Sequence, residues 1–119
     1  MKILDVELEF DFNDADDLER LENAIEVTQK ELAQINVKDE KASAVVRQIS
    51  QAISDCFNSV FGENTDVKIF GNKTNIKTCL RAFEDLANAR VQSEQELADE
   101  LKSVDQKYGV NRATRRAMK

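Results

Sequence analysis

Two cysteines are the residues of this 119-residue chain that come closest to reactive chemistry. A nucleophilic or redox-active cysteine needs an activating base or cation next to its thiol. Lys77 and Arg81 each lie two residues from Cys79, which places them on a different face of a helix. Cys56 and Cys79 both occupy apolar positions of predicted helices. We therefore interpret them as reduced core thiols and not as a disulfide or a redox pair.

Other candidate sites in the sequence lack the residues that their chemistry needs. Asp14, Asp16 and Asp17 resemble the start of a calcium loop, but no Gly or Glu follows at the required positions. Lys73 and Thr74 lack the upstream glycine of a phosphate-binding loop. The chain contains no histidine, the commonest general base and metal ligand. We therefore expect a non-enzymatic protein with no cofactor and no metal.

Charge is unevenly distributed along the chain. The net charge is -6, yet residues 110–119 carry four basic residues and no acidic one, so the first 109 residues sum to -10. An acidic body disfavours nucleic acid as the main partner. The basic tail has few apolar anchors, and we expect it to be disordered alone. An acidic protein surface, such as residues 14–31 of another copy, is its predicted docking site.

The hydropathy of the sequence limits the cellular location of the protein. No apolar run approaches the roughly 20 residues that span a membrane. The N-terminus also lacks the basic-then-apolar order of a signal peptide. We therefore expect a cytoplasmic protein that does not bind membranes.

Apolar residues at spacings of three and four predict three long helices. The first begins at Asn13–Asp14, where acidic residues suit the positive end of a helix dipole, and runs for about 22 residues. The second is capped by Asp39 and ends before Gly62, where a left-handed C-cap is expected.

The third helix begins at Asn72 or Thr74 and ends at Gly109. Before it, residues 65–70 predict a short helix in preference to a strand. The predicted fold class is therefore mainly α, in a single domain over residues 1–109.

Residues 2–12 alternate between apolar and polar without a break, which is typical of a half-buried strand. A lone strand leaves backbone groups unpaired. It can lie on the helices, pair with residues 66–70 to give an α+β fold, or pair with another copy, which favours a homo-oligomer. Its apolar face is either intramolecular core or a partner surface. That face consists of Leu4, Val6, Leu8, Phe10 and Phe12.

The third helix changes character after Ala89, where its apolar stripe thins. We expect its second half to project as a polar arm with a narrow apolar seam, which is either core or available to another chain. The seam consists of Leu97, Leu101 and Val104. Three arginines of the basic tail are further candidates for contact with a partner: Arg112, Arg115 and Arg116.

Several stretches, in this order, resemble a family of small proteins from tailed phages and prophages of Gram-positive bacteria. They are V-E-L-E-F-D-F-N-D-A-D-D-L-E at residues 6–19, V-F-G-E at 60–63, K-I-F-G-N-K-T-N at 68–75 and N-R-A-T-R-R at 111–116. Their order, the chain length and the basic ending carry the resemblance, which covers most of the chain.

Members of this kind resemble siphophage tail assembly chaperones, which are encoded between the tail tube protein and the tape measure protein. The resemblance implies a mostly helical protein that coats the long helical tape measure protein and keeps it soluble. It also implies recruitment of tail tube subunits and absence from the finished virion. In that class a longer form is often made by translational frameshifting.

The sequence leaves two other functions open. One is a small phage regulatory or nucleic-acid-binding protein that uses Arg112, Arg115 and Arg116. Its few phosphate contacts would give weak, salt-sensitive binding, and the tail has no interleaved aromatic residue for base stacking. The other is a minor structural component of the virion.

Overall fold

The computed structural model describes residues 1–108 and shows a mainly α protein, as the apolar periodicity predicts. In these residues two short strands precede four helices: β1 (Lys2–Ile3), β2 (Val6–Glu7), α1 (Ala15–Ala33), α2 (Ala42–Phe61), α3 (Thr65–Phe70) and α4 (Ile76–Tyr108). The three long helices and the short helix are confirmed. Within the same residues, no helix combines the length and the apolar character that crossing a membrane requires. The helix end predicted at Gly109 lies outside the described residues.

The N-terminal segment corrects one prediction, because residues 2–12 do not form a single strand. Strands β1 and β2 pair as an antiparallel hairpin. Leu4 and Asp5 make its two-residue turn with φ angles of 46° and 69°, the positive values of a type I′ turn. The hairpin satisfies backbone groups within the segment itself and buries Ile3 completely. Residues 66–70 belong to α3 and do not pair with it.

Helix α1 begins as its acidic sequence predicts. Asp14 is the N-cap residue, and its Oδ2 accepts a hydrogen bond from the backbone N–H of Asp17 at 3.0 Å. Asp17 in turn accepts hydrogen bonds from the backbone N–H of Asp11 at 3.0 Å and from the Arg20 guanidinium at 2.6 Å. These carboxylates fasten the N-terminal segment to the first turn of α1.

Helix α2 begins later than predicted. Its N-cap residue is Lys41 and not Asp39, and no side chain caps it. Asp39 instead accepts a hydrogen bond from the Asn36 side chain at 3.0 Å. At the other end, Gly62 has the expected positive φ of 109°, but its ψ of 165° is extended. The predicted left-handed cap is therefore replaced by a turn that leads directly towards α3.

Helix α4 also begins later than predicted. The Asn75 side chain accepts hydrogen bonds from the backbone N–H groups of Lys77 and Thr78, at 3.0 and 3.2 Å. This is the bonding of an N-cap residue. The predicted starting residues, Asn72 and Thr74, lie in the loop before it.

The core of the first 88 residues draws on the hairpin segment and on three of the helices. Leu21 and Ile25 of α1, Ile53 and Phe57 of α2, and Leu86 of α4 are fully buried. Close packing of these side chains supplies most of the stability of a small domain. The remaining core residues are Ile3, Leu8, Ala24, Cys56, Val60, Cys79 and Ala82.

The chain divides into two compact units, Met1–Asn88 and Ala89–Lys119, and α4 begins in the first and ends in the second. Residues 89–108 are helical, and residues 89–107 are mostly exposed. Side chains one turn apart pair along this stretch, with polar atoms 3.2–3.3 Å from each other. Such pairs stabilise a helix that has little packing. They are Arg90 with Glu94, Gln92 with Glu96, and Gln95 with Asp99.

Candidate partner-binding surfaces

The N-terminal residues predicted to face a partner lie against the core of the first unit. Leu8 is buried, while Leu4, Val6, Phe10 and Phe12 are half-buried and pack on the core. The turn of the hairpin interrupts the continuous face that alternation predicts. Leu8 is therefore part of the intramolecular core. Contact between a partner and the other four residues stays a prediction.

Phenylalanine rings connect this segment with α2 and α3. Phe10 meets Phe12 edge to face with ring centroids 4.6 Å apart, and meets Phe61 in the same way at 5.8 Å. Phe57 stacks near Phe61 at 6.1 Å and meets Phe70 edge to face at 5.9 Å. Aromatic pairs attract each other at these separations. The five rings form one continuous apolar path from the N-terminal segment to α3.

The second half of α4 carries an exposed apolar stripe, which we call the α4 seam: Leu97 (54% exposed), Leu101 (61%) and Val104 (41%). Their spacing of four and then three places them on one face of the helix. Val91 is also exposed, but it lies about 120° around the helix from the seam. A narrow apolar stripe on a polar helix is typical of a helix that packs on another helix.

The tail arginines predicted to contact a partner, Arg112, Arg115 and Arg116, lie outside residues 1–108. Their contact with an acidic surface stays a prediction. On α1, the acidic face proposed for that contact exposes Glu19 and Glu26.

Both cysteines are free and buried, which confirms their placement as core thiols. Burial raises the pKa of Cys56 because it disfavours the thiolate, and the nearby Glu31 carboxylate acts in the same direction. A hydrogen bond with Thr28 opposes both effects. A thiol with a raised pKa is a poor nucleophile at neutral pH.

The aspartates at the start of α1 make local hydrogen bonds. Asp14 caps the helix, and the pKa of Asp17 is lowered chiefly by the hydrogen bond from the Asp11 backbone, with Arg20 contributing. Over residues 1–108, no group of three or more His, Cys, Asp or Glu side chains is arranged so that it could hold a metal ion. The observed role of these carboxylates is to organise the start of α1.

Sequence reasoning missed a polar cavity beside α2, which Arg47, Ser50 and Lys73 help to line. A signal for Ser50 was present. It lies four residues after Val46 and three before Ile53, which places it on the apolar side of the helix. Nothing in the spacing of Arg47 and Lys73 indicates that they share a cavity.

The fold and its surfaces define a small, mainly α protein with an apolar helical stripe exposed on its second unit. The chain belongs to a protein family of unknown function, DUF6673, which it matches over residues 4–119. The match therefore includes both units. No curated protein and no solved structure is significantly similar to the chain.

Proposed function

We propose that the chain is a non-enzymatic tail assembly chaperone of a tailed phage, which binds the tape measure protein and helps to recruit tail tube subunits. The α4 seam is the observation that carries this proposal, because Leu97, Leu101 and Val104 are exposed on the mostly polar second half of α4. A tape measure protein presents long apolar helical seams until tube subunits enclose it. Two helices bind each other through stripes of this kind.

The four stretches that resemble phage proteins give a second line of support, since they are distributed from residue 6 to residue 116. The distribution of charge gives a third line of support. Residues 1–109 sum to -10 because the last ten residues contribute only positive charge. An acidic surface on the outside of a coated tape measure would keep the complex soluble by mutual repulsion.

The small size of the seam implies that several copies act together. Full burial of one Leu or Val contributes about 1.5–3 kcal/mol. Association costs about 4 kcal/mol or more in lost translational and rotational freedom. Three seam residues therefore give one copy only marginal affinity. We accordingly include self-association in the proposal, because neighbouring copies on one long partner would bind with higher avidity.

Co-expression with the tape measure protein of the same phage tests the proposal. Light scattering of the purified material should show a soluble complex that contains several copies. Leu101→Glu should weaken the complex about tenfold or more, because it removes apolar burial and introduces a charge. Val91→Glu is the matched control, since it adds the same charge on the same helix away from the seam.

Three results would contradict the chaperone assignment. The first is an insoluble tape measure protein with this chain eluting alone. The second is DNA or RNA binding that disappears when residues 110–119 are deleted, which would favour a regulatory protein. The third is recovery of the chain from purified phage particles, which would favour a structural component of the virion.

A further inference from the structure

The α4 seam has the spacing of a coiled-coil stripe, with two opposite charges along one of its edges. Leu97, Leu101 and Val104 are separated by four and then three residues, which matches the d, a and d positions of a heptad repeat. In this assignment Glu100 and Lys107 both occupy g positions, on the same edge of the seam. Both of these charged residues are exposed.

Glu100 and Lys107 are available to another chain. In the part of the chain that the structure describes, neither residue makes an ion pair. They are about 10 Å apart along the helix axis, whereas side chains that pair within a helix are three or four residues apart. Arg90 and Glu94, at that closer spacing, do pair with each other at 3.3 Å. A second helix with the same two charges in the reverse order would pair with both Glu100 and Lys107.

A second copy of α4 presents the charges in this reverse order when the two helices run antiparallel. In an antiparallel pair, g positions lie beside g positions and e positions lie beside e positions. When Leu101 lies opposite Val104 of the second copy, Glu100 lies beside Lys107 of that copy. Twofold symmetry gives this ion pair twice. On the other edge, Asp105 lies beside Ala98 of the second copy, so no like charges meet there.

The parallel orientation would bring like charges together. In a parallel pair, each g residue lies beside the e residue that comes five positions later on the other helix. Glu100 of each copy would then meet Asp105 of the other. Like charges placed against each other weaken an interface. The charges beside the seam therefore favour the antiparallel orientation.

We propose that the α4 seam pairs with the seam of a second copy as an antiparallel coiled coil, with Glu100 of each copy bonded to Lys107 of the other. The inference rests on the proposed function, because it concerns the surface assigned there to the tape measure protein. The pair covers three apolar side chains from each copy, and it closes on itself because both copies use the same surface. The tape measure protein displaces the second copy when it binds, so the seam is covered until then.

Sedimentation equilibrium of the full chain alone, at low ionic strength and at concentrations up to about 0.5 mM, tests the pairing. We expect a monomer–dimer equilibrium with a dissociation constant of about 0.1 mM, because the contact is small. Leu101→Glu should abolish the dimer, whereas Val91→Glu, with the same charge away from the seam, should not. A chain that stays monomeric over this range of concentration would overturn the proposal.

Charge exchange tests the orientation. Glu100→Lys and Lys107→Glu each place like charges together in the antiparallel pair, and each should raise the dissociation constant about tenfold. A 1:1 mixture of these two variants should associate about as tightly as the unchanged chain, because every contact between them again joins an acid and a base. Lys102→Glu is the matched control, since Lys102 is exposed and lies about 140° around the helix from Leu97.

Three results of the charge exchange would overturn the proposal. Stronger association of Glu100→Lys would show a parallel pair, because the new lysine would face Asp105 of the other copy. Unchanged association of both variants would place the contact elsewhere on the chain. A mixture that associates no better than either variant alone would exclude the pairing of Glu100 with Lys107.

Failure of this inference can be distinguished from failure of the chaperone assignment, because these measurements contain no tape measure protein. A monomeric chain that binds the tape measure protein through Leu101 would overturn the self-pairing alone. A dimer that passes the charge exchange, with no binding of the tape measure protein, would support the self-pairing and overturn the chaperone assignment.

Discussion

The ring of Phe10 in the N-terminal segment meets the ring of Phe61 at the end of α2 edge to face, with centroids 5.8 Å apart. Phe61 also stacks near Phe57, which is fully buried. The segment after the hairpin is therefore held on the helices by aromatic contacts and not by extension of the sheet. Phe10 is half-buried, whereas Phe57 is fully buried. This difference in burial leads to a prediction.

Phe57→Ala should lower the free energy of unfolding by about 3–5 kcal/mol, because it empties a fully enclosed site. Phe10→Ala should cost less, about 1–3 kcal/mol, because the ring is only half-buried. Urea denaturation of both variants measures the two losses. Equal losses would mean that the N-terminal segment is as much a part of the core as α2.

The turn of the hairpin gives a second prediction, since Asp5 has a φ angle of 69°. Asp5→Gly should be neutral or slightly stabilising, because glycine adopts positive φ without steric cost. Asp5→Val should be less stable than Asp5→Gly by about 1–2 kcal/mol. Glu9→Val controls for the added apolar surface, since Glu9 is exposed and lacks a positive φ. Similar stabilities for the two valine variants would argue against the hairpin.

The N-cap of α1 gives a third prediction. Asp14→Ala removes the hydrogen bond to the Asp17 backbone and should cost about 1 kcal/mol. Asp16→Ala also removes a carboxylate from the first turn, but it removes no capping bond. Its cost should be at the lower end of a helix-dipole effect, about 0.3 kcal/mol. Thermal unfolding of the two variants compares them, and equal shifts would show that charge alone matters here.

The helices could be predicted from the sequence because their signals are local. Ile25 and Ile53 lie on stripes with the period of an α-helix, and Asp14 is a good capping residue. The hairpin could not be predicted, because Leu4-Asp5 is not a dipeptide that favours a type I′ turn and the alternation continues through it. Spacing alone could not decide which of two adjacent apolar residues faces the core. Cys79 of α4 is buried, whereas Leu80 beside it is 44% exposed.

The candidate surfaces also differ in whether they could be predicted from the sequence. The α4 seam could be found from spacing, because Leu97, Leu101 and Val104 lie on one helix in a polar stretch. The cavity beside α2 could not, because Arg47 and Lys73 come from distant parts of the chain. Only the packing of α2 against the α3–α4 loop brings them together.

Cys56 gives a prediction about alkaline pH. Burial raises the pKa of its thiol above the ordinary value of 9.0, so the unfolded chain loses this proton at lower pH than the folded chain. The stability that the protonated thiol contributes should therefore be complete below pH 9.0 and be lost as pH rises through the raised pKa of the folded state. Urea denaturation between neutral and alkaline pH can compare Cys79→Ala with the double variant Cys56→Ala/Cys79→Ala. The stability difference between them should be constant near neutral pH and shrink in alkaline solution, whereas a constant difference at every pH would mean that the Cys56 thiol ionises as easily when folded as when unfolded.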